Sequence, residues 1–264
     1  MKRCMFFSSL FLVLFSWSSL AHTGESTDLT NSSVYAILAT SVFVVAIIIT
    51  CFFCSPTNER VKKFLFLLII IPIIVTTIFI VSATMYHNSS SYTKGPVHWH
   101  ADFEVWKCGQ KVDLRDPSGV SNRIGTPLLH EHNDNRIHVE GTVSHVSDIS
   151  LQNLFEVVGG NILSDSIVVQ TNDGIVSATN GEFCGKEKGI LQVFVEKIQN
   201  PTVNGQFISI QEKVNDFPSY ILSPFSSVPP GDCIIIDFDQ AKDHTDHLCE
   251  SYKIAKEEGV IHGG

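Results

Sequence analysis

The chain has 264 residues, 44% of them hydrophobic and only 17% charged. Soluble domains are nearer a quarter charged, so part of this chain belongs in lipid, and disordered, collagen-like and coiled-coil classes are excluded. A formal charge of −9 argues against a nucleic-acid binder, which needs a basic stripe. The charge is unevenly spread: residues from 87 onward carry 24 acidic and 13 basic groups, whereas the part before them is slightly positive.

Residues 1–21, MKRCMFFSSLFLVLFSWSSLA, place Lys2 and Arg3 before an apolar run and end on Ser19 and Ala21, the spacing a signal peptidase prefers. They read as an export signal, followed by a short outer segment at 22–33. No charged residue lies between Asp28 and Glu59, and none between Lys63 and Lys94. The aliphatic runs 34–54 and 64–86 inside these windows are each long enough to cross a hydrocarbon core of roughly 30 Å as a helix. Arg60, Lys62 and Lys63 in the connecting loop 55–63 place that loop in the cytoplasm and both outer ends outside. Pro72 is expected to kink the second span. Asn31 and Asn88 each begin an outward-facing N-S-S sequon. Cys51 and Cys54 form a C-x-x-C that reads as two reduced thiols or a lipidation site ahead of a redox pair.

Residues 87–96 form a polar tether, and 97–264 an extracytoplasmic domain of ample size for a core. VHWHADFEVW alternates as a strand, Cys108-Gly109-Gln110 supplies a tight turn, and KVDL is its hairpin partner. Further strands are expected at 136–141, SIVVQ, ILQVFVEKI, GQFISI and CIIIDF, with Asn204-Gly205 as a turn. SLQNLFEVVGG reads as a helix capped by Ser150 and stopped by Gly159-Gly160. A second helix is expected from Asp243, capped by Asp243 or Thr245. The domain is therefore a β-rich α+β unit. Its four cysteines, Cys108, Cys184, Cys233 and Cys249, allow two disulfides in any of three connectivities.

Ten of the eleven histidines lie at or beyond residue 87. In the first strand, period two sets His98, His100, Asp102 and Glu104 on one face, with Trp99, Ala101, Phe103 and Val105 on the other. Paired groups recur at His130-Glu131-His132, followed by Asp134, and at His138-Val139-Glu140. If these segments meet on one face, up to five imidazoles and several carboxylates converge. That donor set suits Cu(II) or Zn(II), with Fe or Mn as further fits. The competing reading is a structural or pH-responsive imidazole–carboxylate network. All three methionines precede the domain, which disfavours a soft Cu(I) carrier. A second cluster in the tail (Asp243, His244, Asp246, His247, Cys249, Glu250) would place His244 and His247 on one helix face, as a separate site or as a solvated first turn.

HWHADFEVWKCGQ, LLHEHNDNRIHVEGTV, SLQNLFEVVGG and VPPGDCIIIDF together resemble a family of exported, membrane-anchored prokaryotic proteins of uncharacterised function. Its members show H-x-H, a glycine turn, H-T-H-D, and an Ile-His-hydrophobic-Glu segment. Glu131 stands here for the usual Thr, and Asn133 precedes Asp134. The resemblance implies a shared site at His98, His100, His130, His132, His138 and Glu140. Its strand–helix–strand order also resembles a β-grasp. His98-x-His100-x3-Glu104 is similar to the first cupin motif, which implies a barrel as the alternative fold, although Gly95 and Gly109 sit too close. His130-x-His132-x-Asp134 is similar to the metallo-β-lactamase pattern, with Asn135 where its last histidine would stand.

The sequence thus predicts a membrane-anchored protein binding a divalent transition metal outside the cytoplasm, for capture, delivery or sensing. Its ligands would come from the five histidines, with Glu104, Asp102, Asp134 and Glu140 as ligands or supports. Its partners are the membrane and, through the helical hairpin, another membrane protein. A metal-dependent enzyme using the same cluster is the first alternative, and a structural or adhesive surface protein the second.

Overall fold

Two runs of aliphatic side chains free of charge fold as helices, which satisfy their backbone hydrogen bonds within the segment. In the computed structural model, which describes residues 25–203, 206–222 and 231–263, these are α1 (Glu25–Cys54) and α2 (Glu59–Ser90). The export signal and the Asn204-Gly205 turn lie outside the described residues. Both helices are long and apolar enough to cross a membrane. Their large side chains are left uncovered by protein, among them Phe52, Phe53, Ile74 and Ile78. Thr40 and Thr76 share a hydrogen bond of 2.6 Å between the helices, while Thr50 and Thr77 donate to carbonyls one turn back. The second helix continues through Pro72 rather than ending there. Cys51 carries a free thiol whereas Cys54 is disulfide-bonded, so the C-x-x-C is neither closed on itself nor a pair of reduced thiols.

The chain divides into two units, Met1–Ser90 and Ser91–Gly264. The stretch read as a tether is therefore split. Its first residues complete α2, whereas Ser91 is buried in the second unit and the Tyr92 amide donates to the carbonyl of Val143.

The second unit is built on β1 (Pro96–Lys107), β2 (Gln110–Val112), β3 (Ile124–Gly125), β4 (Leu129–Glu131) and β5 (Arg136–Thr142). After a 3₁₀ turn, Ser150 caps α3 (Leu151–Val157), its side chain accepting from the Asn153 amide. Next come β6 (Asn161–Ile162), β7 (Ser166–Thr171), β8 (Gly174–Thr179), β9 (Phe183–Cys184) and β10 (Glu187–Lys188). The long strands β11 (Ile190–Val203), β12 (Gln206–Val214) and β13 (Cys233–Asp239) precede α4 (Glu250–Glu257) and β14 (Ile261–Gly263). Nine strands form one sheet in the order β14-β12-β11-β13-β1-β5-β4-β3, with β2 paired to β1. At its centre β1 and β13 run parallel, and the remaining neighbours are antiparallel except β12 with β14.

Both faces of the central strands are covered, which is why CIIIDF reads as an unbroken apolar run. On one face Phe103, Leu129, Ile137, Val139, Ile234 and Ile236 pack with Leu154 and Phe155 of α3. On the other, Phe194, Cys233 and Ile235 pack with Tyr252 and Ala255 of α4. That second helix starts seven residues later than Asp243. The segment 243–249 is not helical and Cys249 is the cap. Gln211 holds Thr245 through both backbone groups, donating to its carbonyl and accepting from its amide, which keeps the segment extended over the sheet. Two disulfides select one connectivity, Cys108–Cys184 and Cys233–Cys249, and point to an oxidising compartment for this unit.

Candidate metal centre

The alternation of β1 holds. Ala101, Phe103 and Val105 enter the core, leaving His98, His100, Asp102 and Glu104 on the opposite face. Cross-strand register then assembles the site. His100 stands opposite His138, His98 opposite Glu140, and on the other side of β5 His130 stands opposite His138. Directly opposed residues in antiparallel strands hold their Cβ atoms about 5 Å apart. Three segments distant in sequence thus reach one patch, with His138 at its middle.

The result is two triads of candidate ligands, His98/His100/His138 and His130/His132/His138, each with its ligand atoms within 4.8 Å of one another. Zinc–nitrogen bonds of about 2.0–2.1 Å in a tetrahedron separate ligands by about 3.3 Å. The largest gap to close is therefore about 1.5 Å. The rings already lie against each other: His100 and His138 are 4.7 Å apart between centroids, His132 and His138 4.8 Å, and His130 and His138 stack at 5.4 Å.

Hydrogen bonds fix several tautomers. His132 Nδ1 meets the Asn122 carbonyl, which can only accept, so Nδ1 carries the proton and Nε2 keeps its lone pair. His138 Nε2 lies 3.4 Å from Asp134 Oδ2 and His98 Nε2 lies 3.2 Å from Glu140 Oε1, so each Nε2–H faces a carboxylate and leaves the Nδ1 lone pair free for a metal. Such carboxylates orient imidazoles for a metal. Moreover, Nδ1 of His138 and Nδ1 of His130 are buried with no hydrogen-bond partner among the described residues. Shielded ring nitrogens without a hydrogen-bond partner or a metal ion cost free energy.

Burial lowers the pKa of His100, His130 and His138 below the ordinary 6.5. Neighbouring charge modulates this: His98 and Arg136 lower His100 further, whereas Glu140 raises His130 and Asp134 raises His138. All three rings are neutral at neutral pH, the form a metal requires. The linkage has a definite sign. Between the lowered folded values and 6.5, the unfolded chain holds more protons than the folded one. Metal-free protein is therefore expected to lose stability as pH falls through that window, read as a lower urea midpoint at about pH 5.5 than at about pH 7.5. An unchanged midpoint would contradict the burial of these rings.

Two carboxylates of the predicted set are engaged elsewhere. Asp102 pairs with Arg136 Nε at 2.8 Å and accepts from Ser251 Oγ of α4. Glu104, 3% exposed, accepts from Trp106 Nε1 and from Lys111 Nζ, both at 2.9 Å. They share the face of His98 and His100, but α4 and the tail cover their end of it. The tail cluster is likewise committed: His247 stacks on Trp106 at 3.7 Å and Cys249 is in a disulfide. Among the described residues it forms no metal-holding group.

Glu131 has a role that alternation alone missed. It is 2% exposed, and burial pushes its carboxyl above the usual range. Its Oε1 accepts the Asp134 amide at 2.8 Å, closing the turn that aims His132 and Asp134. Asn133 and Asn135 in that turn have φ of 65° and 55°. An N-D-N run, whose asparagines tolerate this backbone, was the available signal. Gly125, at φ +114°, leaves no room beside His130: an added Cβ would sit 2.5 Å from the Leu129 carbonyl oxygen and 3.0 Å from His130 Cα. Gly125→Ala is expected to cost roughly 3 kcal/mol and to displace His130, measured by urea unfolding alongside zinc titration.

A cleft lined by Arg115, Arg123, Gly125, Gly159 and Gln170 borders β3, and none of the five histidines lines it. Comparison of the chain with protein-family models, curated proteins and solved structures returns no match.

Proposed function

We propose that this is a membrane-anchored protein whose outer domain binds a divalent transition metal, Cu(II) or Zn(II) before Fe or Mn, for capture, delivery or sensing. The observation that carries this reading is the convergence of all five histidines from three segments onto one patch, in two triads. A surface protein using its histidines only structurally would have no need to gather them. Imidazoles with carboxylate support suit the late first-row metals, and affinity in such a site rises from Mn(II) to Cu(II).

The helical pair supports a multi-pass anchor with its basic loop in the cytoplasm, and the disulfides support an outer position for the β-rich unit. The same hairpin offers a surface for a partner membrane protein. We read the domain as β-grasp-like rather than as a cupin-like barrel, because its sheet is open, with β14 and β3 as edges and β1 parallel to β13. On this reading the chain is also a relative of the exported prokaryotic family whose histidine pattern it resembles.

A metal-dependent enzyme is the second reading. Three histidines per triad leave a tetrahedral position open to water, as catalytic zinc requires. None of the five histidines lines the cleft beside β3, which supports the binder instead. Calorimetric titration of the full-length protein in detergent with Cu(II), Zn(II) and Mn(II) tests the proposal. Tight binding of the first two and weak binding of Mn(II) is expected, and heat no greater than dilution for all three would overturn it.

A further inference from the structure

The two triads differ in burial while sharing one member. His98 is exposed and His100 half-buried, whereas His130 is 1% exposed and His132 half-buried. His138, in the strand between, belongs to both. Its Nε2 faces Asp134, so Nδ1 is the nitrogen left to donate. One nitrogen serves one ion at a time.

We propose that the cluster is a two-station path for a single divalent ion. It is met at the outer triad His98/His100/His138 and held at the inner triad His130/His132/His138, with His138 kept as the common ligand. This rests on the metal-centre reading and adds a direction to it. The exchange balances without redox change: the ion keeps its charge and the bond to His138. The nitrogens of His98 and His100 are released to water, and those of His130 and His132 replace water on the ion. His132 is prepared for this, because Asn122 holds its Nδ1 proton and leaves Nε2 free. Glu140 steadies His98 at the outer station and Asp134 steadies the pivot. A path of this kind loads from solvent while storing the ion where water reaches it least.

The test uses full-length protein in detergent, Zn(II) as probe and a chromophoric chelator as competitor, comparing wild type, His98→Ala/His100→Ala and His130→Ala. His132→Ala serves as a second inner variant, since His132 is less buried and its loss is less disruptive to folding. Wild type is expected to bind one zinc per chain. The outer variant should load about tenfold more slowly with little change in Kd, and either inner variant should load at the wild-type rate with Kd raised about a hundredfold. Two zinc ions per wild-type chain, or equal losses of Kd in outer and inner variants with no change in loading rate, would overturn the path while leaving the metal centre intact. No zinc bound by wild type would overturn both.

Discussion

His138→Ala is expected to weaken Zn(II) binding by a hundredfold or more, the largest effect of any single substitution on this surface. The reason is topological. β5 lies between β1 and β4, so His138 faces His100 on one side and His130 on the other, and both triads lose a member together. Removing an outer partner of a metal ligand already costs about 10–100-fold, and removing the ligand itself costs more. Glu104→Gln is the control, since Glu104 shares the β1 face yet is bound to Trp106 and Lys111. Its zinc affinity should stay at the wild-type value. Competition against a chromophoric chelator measures both. An unchanged affinity in His138→Ala would remove the histidine centre from consideration.

The second large effect concerns stability. The disulfide Cys108–Cys184 spans 76 residues and Cys233–Cys249 spans 16. Loop-closure entropy in the unfolded chain makes them worth about 4.5 and about 3 kcal/mol respectively, with the longer loop worth more. For a domain with typical stability of about 5–15 kcal/mol, losing the first is severe. The paired substitution Cys108→Ser/Cys184→Ser should therefore lower the urea midpoint more than Cys233→Ser/Cys249→Ser does. Cys233–Cys249 also ties α4 to the sheet beside Tyr252 and Ile235, so packing adds to its entropic contribution. A larger loss from the shorter loop would show that this packing outweighs chain entropy.

Much of this arrangement was legible from local rules. Period-two alternation placed the faces of β1, Ser150 announced α3, and charge-free windows announced both apolar helices. The convergence of the histidines was legible as a condition, because the sequence shows that each pair shares a face but not which strands are neighbours. Cross-strand register supplies that knowledge. Asp102 and Glu104 illustrate the converse limit. Alternation correctly sets them beside His98 and His100, yet what lies above a strand face is a tertiary matter: α4 reaches Asp102 from about 150 residues away through Ser251, while Trp106 and Lys111 take up Glu104. A second long-range contact, between Gln211 and Thr245, explains the tail. Asp243, Thr245 and Asp246 are good cap residues, but pairing of the Thr245 backbone with Gln211 holds them extended, and the helix waits for Cys249. Glu131 escaped because its work is local to a turn, on backbone amides rather than on a ring.

The most direct measurement is metal content by mass spectrometry on the full-length protein purified in detergent, beside a His98→Ala/His130→Ala double variant. Near-stoichiometric zinc or copper is expected in the wild type, and its loss in the variant. A wild-type protein that retains no metal after loading and gentle dialysis would contradict the metal-centre reading. The five converging rings would then be a structural imidazole–carboxylate network.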